Sequence, residues 1–201
     1  MLAGDQAAFY NDVYTRQPSK WSSVDRDYLA FKILSGLVDN PGRMMDFGCG
    51  NGHTLAFFHS QWPDATYIGV DISDVAIKLT RRRVPNVITI RNWHGIPECD
   101  VITIMGVAEH FEDPAAELKE IAALLKPTGY LYLEVPNCLA YSPDKTEGYR
   151  KTHEGSDQVE WHWTRDTWKQ AIKDAGLEIV MGYKGHAPEC EFIWVLRRTE
   201  T

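Results

Sequence analysis

Apolar and polar positions divide the 201-residue chain into two regimes. Up to about residue 40 the apolar residues recur at helical intervals. Ala7, Phe9, Tyr10, Val13 and Tyr14 are spaced to line one face of a first helix, which Gln17-Pro18-Ser19-Lys20 breaks. A second helix is predicted over about Val24 to Val38, with Tyr28, Phe31, Ile33, Leu34 and Leu37 at mostly helical spacing. Asp39-Asn40-Pro41-Gly42 ends it with turn chemistry. Residues 1–40 therefore read as a small N-terminal helical cap. Its aromatic residues Tyr10, Tyr14 and Trp21 are placed to cover a ligand, although core or docking surface is the commoner use of such residues.

After residue 40, short apolar runs alternate with helix-length segments. Strands are predicted at Met44–Phe47, Ala65–Val70, Val87–Ile90, Val101–Met105, Tyr130–Val135, Leu177–Tyr183 and Phe192–Leu196. Helices are predicted at Thr54–Gln61, from a Ser73 or Asp74 cap to Arg83, at Pro114–Leu125, and at Thr164–Ala175 behind a threonine cap. The Pro114 helix is expected to end in a turn at Lys126-Pro127-Thr128-Gly129. Val101–Met105 is almost wholly apolar, as a strand buried on both faces should be. Seven strands alternating with helices make βαβ units: an α/β fold with a mostly parallel sheet and helices on both faces. The exception is the aperiodic stretch from Pro136 to Val159. An irregular segment that long inside a compact domain is expected to be a lid or binding loop, here on the substrate side over 136–160.

Composition narrows the classes. Hydrophobic residues are 44% and charged residues 24%, ordinary for one globular domain spanning 1–201. A formal net charge of -7 argues against general attraction to nucleic acid or to an anionic membrane. The one basic run, Arg81-Arg82-Arg83, suits the end of a helix, where cations complement the macrodipole. Four cysteines, Cys49, Cys99, Cys138 and Cys190, include no CxxC pair and fit neither a zinc site nor a disulfide framework. His186, Glu189 and Cys190 lack metal-site spacing, so no metal is expected. With no signal-like start and no apolar run long enough to span a bilayer, the expectation is a soluble cytoplasmic protein, monomer or homodimer.

The chemistry concentrates in Arg43-Met44-Met45-Asp46-Phe47-Gly48-Cys49-Gly50-Asn51-Gly52-His53. An apolar strand ends in an acid, and three glycines alternate before a helix. Glycine permits φ > 0 and lets a ligand approach without a Cβ in the way. In an open parallel sheet, ligands bind outside the carboxyl ends of the strands, where Asp46 and Asp71 are both expected. Asp71 lies about twenty residues past the glycine loop, where an acid can hydrogen-bond a ribose diol. A dinucleotide site requires G-x-G-x-x-G. Here the third glycine comes one place early and His53 stands where it should be.

The pattern Asp46-x-Gly48-x-Gly50-x-Gly52 instead resembles the first motif of the class I S-adenosylmethionine-dependent methyltransferases. Asp71 matches that family's ribose-binding acid. Asp100-Val-Ile-Thr-Ile-Met-Gly-Val-Ala-Glu109-His110-Phe-Glu-Asp-Pro114 is similar to its fourth-strand motif. Leu124-Leu-Lys-Pro-Thr-Gly129 through Asn137 is similar to its "LLKPGG" motif and following strand, and Trp163-Thr164-Arg165 through Ala175-Gly176-Leu177 to its late helix and turn. The likeness covers about residues 40–183.

The resemblance implies a Rossmann-like, doubly wound sheet and S-adenosylmethionine as cofactor, with S-adenosylhomocysteine as product. It implies that Asp46, Phe47, Gly48, Cys49 and Gly50 pass beneath the methionine end. Asp71 and Ile72 would sit at the ribose, Asn92 and Trp93 at the adenine, and Met105 at the end of the fourth strand. Asn92 departs from the Asp this family often carries there; its side-chain oxygen can still accept from an exocyclic amine. Transfer is by direct displacement, for which proximity and orientation can supply roughly 7–11 kcal/mol. Where the nucleophile carries a proton, His110 and His162 are the catalytic candidates, with His153, Glu134 and Glu109 behind them.

The acceptor is expected to be a small molecule methylated on O, N or C. Met105-Gly106-Val107-Ala108 replaces the Asn-Pro-Pro-Tyr-like motif of amide and base methylation. Alternatives are a protein or peptide methyltransferase and a non-catalytic S-adenosylmethionine-binding protein. A nicotinamide-dependent dehydrogenase is disfavoured by the glycine spacing.

Overall fold

The computed structural model describes residues 3–91, 93, 95–137, 148–152, 159–184 and 191–199. Seven strands form one sheet in the order β3-β2-β1-β4-β5-β9-β8, and β6 and β7 form a second, two-stranded sheet. The strands are β1 (Arg43–Phe47), β2 (Thr66–Val70), β3 (Ile88–Ile90), β4 (Cys99–Met105), β5 (Leu125–Pro136), β6 (Tyr149–Thr152), β7 (Val159–His162), β8 (Leu177–Lys184) and β9 (Glu191–Arg198). All seven strands expected from the alternation are in the large sheet. The backbone divides into two compact units, Met1–Ile102 and Thr103–Thr201.

In the first unit, β1 pairs parallel with β2, and β2 with β3. Helices α1 (Ala3–Arg16) and α2 (Val24–Leu34) precede the strands, and α3 (His53–Gln61) and α4 (Asp74–Arg83) follow β1 and β2. The core comes from the periodic positions: Ala30 and Leu34 of α2, Met44 and Met45 of β1, and Leu55 and Phe58 of α3 are fully buried. Phe31 brings an edge-on ring to Phe57, Phe58 and Trp62, which seats α2 on α3. The expected α2 is four residues too long. It ends at Leu34, where the amides of Leu37 and Val38 both turn back to the Leu34 carbonyl. Ser73, one of the two cap candidates, opens α4 by accepting from the Ala76 amide.

In the second unit, β9 runs antiparallel to both β5 and β8. A short 3-10 turn, Ala108–His110, precedes α5 (Pro114–Ala122), and α6 spans Arg165–Asp174 behind its Thr164 cap. Leu131, Tyr132, Leu133 and Val135 of β5 and Val195 and Leu196 of β9 are fully buried.

Two expectations are corrected here. Helix α5 stops at Ala122, and Lys126-Pro127-Thr128-Gly129 belongs to β5 rather than to a turn. The ladder to β9 begins only at Leu131, so Pro127, which has no N–H, sits ahead of it. The stretch from Pro136 to Val159 is not wholly irregular, because Tyr149–Thr152 pairs with Val159–His162. Those strands carry Trp, His and Lys in place of an apolar alternation, so the pattern does not announce them.

Candidate functional site

The glycine loop leaves the carboxyl end of β1 and is built by its own backbone. The amides of Gly48 and Cys49 both donate to the Val70 carbonyl at the end of β2, at 2.8 and 2.9 Å. The Gly50 carbonyl accepts from Thr80 Oγ1 at 2.9 Å, and the Gly52 amide donates to the Cys49 carbonyl. Gly48, Gly50 and Gly52 have φ of 80°, 52° and 76°, so all three sit where L side chains are strained.

Their surroundings separate their roles. A Cβ on Gly52 would lie 2.9 Å from the Cα of Thr80, so this glycine is required by the close approach of α4. A Cβ on Gly50 would overlap the hydroxyl of Tyr14, which reaches the loop from α1. Gly52, which is not among the expected cofactor-binding residues, is pressed against α4.

Asp71 follows β2 and is almost buried, at 9% exposure. One carboxylate oxygen accepts from the Gly50 amide and the other from the Ser73 amide, each at 2.8 Å. Asp71 therefore ties the glycine loop to the start of α4. Burial pushes its pKa above the ordinary 3.8, opposed by those two amides. An ionised carboxylate offers about four lone-pair sites, so two bonds leave acceptor capacity for a hydroxyl pair. Asp46, the last acid of β1, is buried at 3% exposure. Phe47 meets Trp93 edge-on with ring centroids 4.9 Å apart, which brings the adenine-side candidate against the end of β1. Asn92 lies outside the described residues. Ile72 is half-buried between Asp71 and the Ser73 cap.

Tyr14, one of the aromatic residues placed to cover a ligand, reaches the loop from α1. Its hydroxyl has no hydrogen-bond partner among the described residues, and it stands over Gly50 in a mostly buried setting. Burial, then the charge of Asp71, hold that phenol well above its ordinary pKa. It stays a neutral donor. Burial likewise raises the Cys49 thiol, which sits 3.7 Å from Thr80 Oγ1 and is a packing group, not a nucleophile. Tyr10 and Tyr14 both pack edge-on to Trp21.

In the second unit, Met105 ends β4 and is buried. His110 closes the 3-10 turn, and its Nδ1 makes a short contact with the Val159 carbonyl of β7. A carbonyl can only accept, so Nδ1 carries the hydrogen and Nε2 is the nitrogen able to take a proton. That Nε2 lies 3.9 Å from the Glu109 carboxylate. His162 is the last residue of β7, two residues ahead of the Thr164 cap, and is 1% exposed. Trp161 and Trp163 flank it as a parallel pair with centroids 5.8 Å apart, and Trp163 Nε1 donates to the Phe111 carbonyl. His153 and His186 lie outside the described residues. Among the described residues no cluster of His, Cys, Asp and Glu is suited to a metal, and no helix is long and apolar enough to cross a membrane.

Comparison with known proteins places this architecture. A methyltransferase-domain family model matches residues 23–181, from the start of α2 into β8. The chain belongs to that family, and its fold is that of the class I S-adenosylmethionine-dependent methyltransferases. Among curated relatives, trans-aconitate 2-methyltransferase of Azoarcus sp. (strain BH72) is 30% identical over 127 residues, 61% of this chain and 49% of that protein. The enzyme of the same name from Escherichia coli O157:H7 is 28% identical over 165 residues, 80% of this chain and 59% of that one. The chain thus spans about half the length of the curated relatives it matches. Among solved structures, the 1,6-didemethyltoxoflavin-N1-methyltransferase of Burkholderia thailandensis superposes with a TM-score of 0.75 at 18% identity, covering 98% of this chain and 89% of that one.

Proposed function

We propose that the protein transfers a methyl group from S-adenosylmethionine to a nucleophilic atom of a small molecule. The observation that carries this reading is the juxtaposition at Gly50. A buried carboxylate with acceptor capacity left over meets an amide-lined, positive-φ loop, beneath a phenol with an unused hydrogen bond. These groups match the polar parts of the cofactor. Asp71 would accept from the ribose hydroxyls, Tyr14 would donate to the carboxylate of the methionine end, and the bare Cα of Gly50 lets that end pass. Trp93, against Phe47, would lie along the adenine, with Asn92 as its hydrogen-bonding neighbour. The bound cofactor supplies an electrophilic methyl on a sulfonium. The protein's own work is then to orient the two reactants and exclude water.

In the second unit, His110 is the residue we assign to proton transfer, because Nδ1 donates to the Val159 carbonyl and Nε2 is then its acceptor nitrogen. His162 is too enclosed for an acceptor to reach, so we assign it to packing β7. The relatives named for trans-aconitate and for 1,6-didemethyltoxoflavin favour a small organic acceptor over a peptide. The test is a panel in which the protein, S-adenosylmethionine and small carboxylic acids, nitrogen heterocycles and peptides are incubated and analysed by mass spectrometry. Gain of a methyl on a small molecule supports the reading. Methylation confined to peptides would replace the acceptor class, and cofactor binding without turnover across the panel would favour a non-catalytic binding protein.

A further inference from the structure

Asp27 has no place in the chemistry so far, yet its environment is demanding. It lies in the first turn of α2 with 0% exposure. A carboxylate taken wholly out of water must be compensated by donors or an opposite charge. Both compensating groups are the first two residues of α3: His53 Nδ1 is 2.5 Å from one carboxylate oxygen, and Thr54 Oγ1 donates to the other at 2.8 Å. Helix α3 needs a negative group there. Its N-cap is Gly52, which has no side chain, and its first turn contains no acid. Asp27 supplies that charge from another helix.

His53 and Thr54 follow the glycine loop directly, and a second link acts on the loop itself. Asn51 Nδ2 donates to the Pro18 carbonyl at 2.6 Å and to Ser22 Oγ at 2.9 Å, while Asn51 Oδ1 accepts from the His53 amide and from Arg83. Residues 51, 53 and 54 are thereby held by residues 18, 22 and 27. The loop's other fixings come from Val70 at the end of β2, from Asp71 just after it and from Thr80 of α4. On the α2 side the charged anchor is Asp27.

We propose that Asp27 is a positioning residue for the cofactor, acting through His53 to hold the glycine loop in the shape that admits the methionine end. The proposal rests on S-adenosylmethionine being the ligand of that loop. A carboxylate acting this way alters affinity for the cofactor while leaving the rate at saturation alone. Loss of one charge-assisted bond is expected to weaken binding by roughly 10–100-fold.

The test compares S-adenosylhomocysteine binding by calorimetry, thermal midpoint, and the split between KM for S-adenosylmethionine and kcat. The proteins are the wild type, Asp27→Asn, His53→Ala and His53→Asn. The expected result is a weakened dissociation constant in Asp27→Asn and His53→Ala with kcat held within about twofold, and recovery in His53→Asn, whose amide can still donate to Asp27. If Asp27→Asn fails to fold, the two His53 variants decide the matter, since His53 is partly exposed. Wild-type affinity in His53→Ala together with a lowered thermal midpoint would overturn the proposal and leave a purely structural pair. A fall in kcat at unchanged affinity would overturn it in favour of a role in the chemistry. A wild type that binds neither sulfur nucleoside would overturn the proposed function itself.

Discussion

Placing Tyr14 on Gly50 makes the cost of filling that glycine depend on a hydroxyl from another element. Gly50→Ala puts a Cβ at φ 52°, a left-handed conformation that costs an L residue roughly 1–2 kcal/mol. The same Cβ overlaps the Tyr14 hydroxyl, whereas the ring carbon behind it is 3.3 Å away, close but tolerable after a small shift. Overpacking of that kind adds about 1–3 kcal/mol. The total in the wild-type background is therefore about 2–5 kcal/mol, which for a chain of this size lowers the thermal midpoint by roughly 4–20 °C. In a Tyr14→Phe background the hydroxyl is gone and only the backbone cost of roughly 1–2 kcal/mol remains. A double-mutant cycle by urea denaturation reads the difference directly, as a coupling of about 1–3 kcal/mol between two residues 36 apart in the chain. Equal costs for Gly50→Ala in both backgrounds would refute the placement of Tyr14 over the loop, and with it the assignment of that hydroxyl to the cofactor.

Asp71→Ala should weaken S-adenosylhomocysteine binding at least about a hundredfold, because two charge-assisted bonds of roughly 1.5–3 kcal/mol are removed; an unchanged dissociation constant in a folded variant would exclude the ribose role. Burial raises the Asp71 pKa, so its proton is held to higher pH in the folded than in the unfolded chain. Its contribution to stability therefore falls as pH rises from 3.8 through the raised value, while cofactor affinity moves the other way. In pH-resolved calorimetry affinity should begin to decline, on acidification, at a pH above the ordinary carboxylate value, and a decline centred at 3.8 would contradict this. Gly52→Ala should cost stability without selectively weakening the ligand, since its Cβ meets the Thr80 backbone; denaturation and binding measured together check this. His110→Asn keeps a donor for the Val159 carbonyl but loses the base, and turnover of a protonated nucleophile should fall about 10²–10⁴-fold at unchanged cofactor affinity; a change under threefold would remove His110 from proton transfer.

The parts of this molecule governed by period and by local chemistry were readable in the chain. The strand alternation, the Thr164 cap, the Ser73 cap and the spacing from Gly48 to Asp71 all express interactions within a few residues or within one βαβ unit. The parts that escaped depend on contacts between distant segments. Nothing near Asp27 announces that its partners are His53 and Thr54, and nothing near Tyr14 says that its ring ends on Gly50. The β6–β7 pairing escaped for another reason: β7 buries its two end residues, Val159 and His162, with half-buried Glu160 and Trp161 between them, so no period-2 alternation marks the strand. At Lys126-Pro127-Thr128-Gly129 the residues that usually make a turn were overridden, because β5 extends past the start of its ladder to β9.

The loop from Asp46 to Gly52, with Asp71, is proposed to bind S-adenosylmethionine. Calorimetric titration of the protein with S-adenosylmethionine, S-adenosylhomocysteine and NAD tests it most directly. One-to-one binding of both sulfur nucleosides, lost in Asp71→Ala and absent for NAD, is the predicted result. Binding of NAD with no response to either sulfur nucleoside would contradict it.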